Sequence, residues 1–142
     1  MVLCLTKNSI INFDEHIDSI YQKYPADIVL LHAGHNYFES DKPIAVIIAA
    51  QESIIREIRA INPGVKILVA QVIHSGKLPK YAYIPELNKR IAKMVKSQNS
   101  DNVLLVNQTK HFDWQKHTIS DRRLSIFLAV AGLWGHLFSS NT

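Results

Sequence analysis

Large aliphatic residues follow two alternating patterns along this chain. Short unbroken runs, Ile28-Val-Leu-Leu31, the stretch 65–73 and the stretch 102–107, predict strands buried on both faces, the signature of a parallel sheet. Between them, apolar residues recur three and four apart and predict amphipathic helices. One spans 13–24, with Ile17 and Ile20 on one face and Asp14 and Glu15 near its start. A longer one carries Ile44, Ile47, Ile48, Ile54, Ile55, Ile58 and Ile61, and a third starts near Pro85 with Leu87, Ile91, Met94 and Val95 inward. Tyr24-Pro25 and Asn62-Pro63-Gly64 are stops, and Ser40-Asp41-Lys42-Pro43 is a helix start. Residues 2–5 predict a short strand and 6–9 a turn. Strands alternating with helices at this spacing imply right-handed crossovers in a parallel sheet, hence one three-layer α/β domain over 1–142.

Composition changes this picture little. Of 142 residues, 47% are hydrophobic and 20% charged, as expected of a globular domain. The net charge of +4 is spread out, and its densest group (Lys89, Arg90, Lys93, Lys96) is spaced like one solvated helix face. No basic patch interleaved with aromatics exists, which argues against nucleic acid as a partner. Cys4, the single cysteine, excludes an internal disulfide and a cysteine-based metal cluster. The apolar run at 2–5 is too short for a signal peptide, so the expected location is cytoplasmic, and no run reaches the ~20 residues of a membrane span.

If the strands are parallel, their carboxyl ends form one rim, the edge where open α/β sheets bind ligands. His35 and Asn36, His74 and Ser75, and Asn107 and Gln108 should line it, with Asp113, His117 and Asp121 in the connection beyond. Three chemistries compete for this cluster. A zinc site from His32, His35 and His74 lacks a fixed common face, so the expected metal content is none. A phosphate pocket would need a glycine-rich loop, but Gly34 is the first glycine in the chain. A serine hydrolase needs a serine, a histidine oriented by a carboxylate, and donors for the oxyanion. Asn36 suits the donor and Asp121 the carboxylate. Ser75 lacks the strand–helix elbow that exposes a nucleophile, and suits substrate contact better. Neither His111 nor His117 has obvious triad spacing from Asp121. Tyr81 and Tyr83 lie in a loop able to shape a substrate site, while Phe112 and Trp114 suit sealing the core.

Asp27-Ile-Val-Leu-Leu-His-Ala-Gly-His-Asn36 resembles the third block of the SGNH (GDSL-type) esterase superfamily, a strand ending in Gly-x-Asn-Asp, with Tyr37 in place of the last Asp. The similarity runs on through Asn62-Pro-Gly-Val-Lys-Ile-Leu-Val-Ala-Gln71, Ser75-Gly76, Ile84-Pro-Glu-Leu-Asn88, Val103-Leu-Leu-Val-Asn-Gln108, Phe112-Asp-Trp114 and Thr118-Ile-Ser-Asp121, covering about 17–121. It implies a flavodoxin-like three-layer α/β/α fold and cofactor-free hydrolysis of short acyl or acetyl esters, on small-molecule esters or acylated sugars. By match it carries over two functional positions, Asn36 as oxyanion donor and Asp121 as triad acid; Gly34, His35, His74, Ser75 and Tyr81, read at the rim and its loop, are the expected substrate contacts.

The departures lie at the two ends. The opening Gly-Asp-Ser block is reduced to Asn8-Ser9, which leaves Ser9 as the candidate nucleophile, and the first strand or strands are expected to be missing or altered. Too little chain separates Ser9 from Asn36 for the family's second strand and helix. After Asp121, Leu124 stands where the triad histidine belongs. Turnover is therefore expected to be impaired, with a non-catalytic binding module of the same fold as the alternative. An absent first strand would leave the Asp27 strand with an unpaired edge that favours self-association. The apolar stretch 124–138 reads as a helix over one sheet face, a membrane-associating segment, or a tail made by a shifted reading frame.

Overall fold

The computed structural model describes residues 2–4, 10–34, 43–73, 81–110 and 112. In chain order these form β1 (Val2–Cys4), α1 (Ile10–Lys23), β2 (Ile28–Leu31), α2 (Pro43–Ile61), β3 (Lys66–Ala70), α3 (Ile84–Ser97) and β4 (Val103–Val106). The four strands make one parallel sheet in the order β1-β2-β3-β4. This is the expected α/β architecture.

Each helix follows from its apolar stripe. Ile10, Ile17 and Tyr21 of α1 are buried, as are Ile47, Ile54, Ile55 and Ile58 of α2 and Ile84, Leu87, Ile91, Met94 and Val95 of α3. They close over Val29, Leu31, Ile67, Val69 and Val103 from the strands to form the core. α1 packs along α2, and α2 along α3. Asn62 locks the first pair. Its side-chain amide donates to the Tyr21 hydroxyl (3.2 Å), which itself donates to the Ala26 carbonyl, while Asn62 Oδ1 accepts from the Gly64 amide (3.1 Å).

Two boundaries differ from the sequence reading. α1 begins at Ile10, three residues before Phe13, so Asp14 and Glu15 fall in its second turn and cannot serve its N-terminus. α2 ends at Ile61, directly before the expected Asn62-Pro63-Gly64 stop, and Ile61 is 40% exposed. β3 ends at Ala70 although Gln71, Val72 and Ile73 are all buried. There the backbone exchanges a neighbouring strand for a side chain. Val72 N–H donates to Asn88 Oδ1 (2.7 Å) and Asn88 Nδ2 donates to the Val72 carbonyl (2.8 Å). β1 is present and pairs with β2 along Ile28–Leu30, so that edge of β2 is not open.

Candidate functional site: the carboxyl rim of the sheet

The rim is held by polar side chains planted on apolar helix faces. β2 runs out through His32, Ala33 and Gly34, all buried. Gln51 of α2, fully buried, donates from Nε2 to the Ala33 carbonyl (3.1 Å). Tyr83, the residue before α3, donates its hydroxyl to the Gly34 carbonyl (2.6 Å), while its own carbonyl accepts the first helical bond from the Leu87 amide (2.9 Å). One residue thus ties the start of α3 to the end of β2. Burial, and secondarily the neighbouring Tyr81, push the Tyr83 phenol up to about 12. At neutral pH it is a hydrogen-bond donor.

Gly34 is fixed from two directions. Its φ of +135° is one that side-chain-bearing residues rarely adopt. A Cβ there would lie 3.0 Å from Leu87 Cδ2 and 3.2 Å from Val72 Cγ2. α3 and the end of β3 therefore pack against the bare Cα, and this position needs glycine.

The exit of β3 is clamped by α3. Besides the two Asn88–Val72 bonds, Gln71 Nε2 donates to the Asn88 carbonyl (3.3 Å). After β4, Asn107 Oδ1 accepts from the Thr109 amide (3.1 Å), the Thr109 hydroxyl (2.8 Å) and the Lys110 amide (3.1 Å), turning the chain at once. Gln71 Oε1 and both amide atoms of Gln108 are buried without a hydrogen-bond partner among the described residues. A buried, unsatisfied polar atom costs roughly 1–3 kcal/mol.

Of the substrate contacts expected from sequence, Gly34 and Tyr81 are described, Tyr81 being partly buried against the core. Ser9, His35, Asn36, His74, Ser75 and Asp121 lie outside the described residues. So do His111, His117 and Trp114, and the segment 124–138. His32 of the three-histidine reading is 5% exposed. Sequence reasoning passed over Gln51 and Asn88, yet both leave a signal. Gln51 falls in phase with Ile47, Ile54 and Ile58, and Asn88 with Ile84, Ile91 and Val95. An amide on a core stripe needs a buried partner, and here that partner is rim backbone.

No family model and no curated protein sequence matches this chain. What the fold and rim define is a parallel α/β domain with polar groups gathered at the carboxyl ends of its strands. A solved structure shares that fold: the crystal structure of an acetyl esterase mutant with an acetate ion, at TM-score 0.75 and 19% identity, covering 94% of this chain and 67% of that one. No described helix is long and apolar enough to cross a membrane.

Proposed function

We propose that the chain is an SGNH-type ester hydrolase domain in which the site for a short acyl ester persists while turnover is impaired. The observation that carries this is Gly34. The one glycine of the Gly-x-Asn match has left-handed backbone, a filled space where its Cβ would be, and a carbonyl tied by Tyr83. In sequence, His35 and Asn36 follow directly on this fixed glycine. The likeness in fold to an acetyl esterase supports the same substrate class.

Topology supports Ser9 as the remnant nucleophile. β1 lies beside β2 and parallel to it, so the carboxyl ends of both open on one rim, and Ser9 falls between β1 and the first residue of α1. In the reaction this arrangement would serve, Ser9 Oγ attacks the ester carbonyl and the Asn36 amide holds the developing oxyanion. The alcohol then leaves and water releases the acyl group. Each step moves a proton to or from a base that Asp121 would orient. Leu124 stands at that base's position and cannot accept one. Losing a triad member removes several orders of magnitude of rate while binding and the oxyanion donors remain.

The test is hydrolysis of nitrophenyl acetate by the full chain. The expected rate is little above buffer. Robust hydrolysis lost in both Ser9→Ala and Asn36→Ala would make this a competent enzyme and overturn the impairment.

A further inference from the structure

Among the described residues, β2 loses its neighbouring strands before it reaches the rim. Its pairing ends at Leu30 with β1 and at Leu31 with β3, which leaves the carbonyls of Ala33 and Gly34 without a strand beside them. Each is taken instead by a side chain from elsewhere in the chain. Gln51 of α2 donates from Nε2 to the Ala33 carbonyl (3.1 Å), and the Tyr83 hydroxyl donates to the Gly34 carbonyl (2.6 Å). Packing closes the same point from three sides. A Cβ on Gly34 would meet Leu87 of α3, Val72 beyond β3 and Ile47 of α2, the last at 3.5 Å. A held carbonyl holds its whole planar peptide unit. In sequence, Asn36 follows Gly34 by two residues.

Stability alone does not ask for glutamine at position 51. The residue is fully buried and in phase with Ile47, Ile54 and Ile58. Of its two polar ends only Nε2 is satisfied, while Oε1 is buried with no hydrogen-bond partner among the described residues. Leaving a buried acceptor unpaired costs at least as much as one hydrogen bond returns, so the amide gives the fold no net gain. A side chain that breaks the pattern of its own helix without stabilising it is expected where a site must be held in one geometry. We infer that Gln51 and Tyr83 are positioning residues of the proposed ester site, holding the two carbonyls that precede His35 and Asn36 and so fixing the backbone from which the oxyanion donor departs. This role deepens the ester reading and rests on it.

The test sets affinity against stability in the full chain, with ethyl acetate as the probe and the saturable shift of Tyr81 as the readout. Gln51→Met fills a similar space. It leaves the Ala33 carbonyl open but removes the unpaired Oε1, so its urea midpoint should stay near that of the wild type. Its affinity for the probe should fall about tenfold, as should that of Tyr83→Phe. Ile54→Val, a packing control on the same helix, should lower the midpoint and leave the affinity unchanged. Tyr83→Phe decides the question if Gln51→Met does not fold. Wild-type affinity in either positioning variant, or a loss in Ile54→Val as large as theirs, would overturn the positioning role and leave the ester reading intact. No saturable shift in the wild type would remove the ester site, and this role with it.

Discussion

Gly34 is where backbone, packing and the proposed chemistry meet in one residue. Gly34→Ala adds a methyl group 3.0 Å from Leu87 and 3.2 Å from Val72 at a φ of +135°. Backbone strain and overpacking of this kind each cost about 1–3 kcal/mol, so urea denaturation should show a loss of about 2–4 kcal/mol. Asn88 makes a different demand, because its amide both accepts from and donates to Val72. Asn88→Asp keeps the acceptor, but as a carboxylate it faces the Val72 carbonyl with charge. Burial and that carbonyl raise the new carboxyl's pKa above the ~3.9 it has unfolded. The variant should therefore come nearest to wild type below about pH 4 and lose stability as pH rises toward neutrality, a slope that urea midpoints at pH 3.5 and 7 will reveal. Tyr83 titrates from the other end. With its phenol pushed up to about 12 in the fold against about 10 unfolded, its contribution is complete below pH 10 and is lost as pH rises toward 12. Tyr83→Phe should remove that alkaline component and cost roughly 0.5–1.5 kcal/mol at neutral pH from the lost bond to Gly34.

At the scale of elements, the isoleucine stripe of α2 decides stability. Ile54 of α2 is fully buried in the core, and Ile54→Ala should cost about 2–5 kcal/mol, read from the denaturation midpoint. The exposed Glu86–Lys89 and Glu86–Arg90 pairs on α3 should matter little, since surface ion pairs contribute roughly 0–1 kcal/mol. Apart from β1, which the resemblance led us to expect missing or altered, the existence and type of the described elements were legible in sequence, because unbroken aliphatic runs and three-to-four spacing report burial directly. The ends were less so. The exit of β3 could not be read from Val65 to Ile73, since the residue that takes over its hydrogen bonds, Asn88, is sixteen positions beyond Val72. The start of α1 was missed because Ile10 and Ile11 continue the helix backward without an acidic first turn to mark it.

At the scale of the molecule, parallel strands in consecutive order bring every carboxyl end to one rim and every described helix to one face. The special backbone at Gly34 was legible because glycine is the residue such a conformation requires. Its supports were not, because Gln51, Tyr83 and Asn88 reach the rim from other helices, and only the fold shows which carbonyls they meet. On the proposed reading the rim still accepts a short ester but does not turn it over. Nuclear magnetic resonance of the full chain titrated with ethyl acetate follows both events in one tube. It should show saturable shifts at Gly34 and Tyr81, with no acetate released above the buffer rate. An absence of shifts would remove the ester site, and rapid acetate release that disappears in Ser9→Ala would show a working esterase.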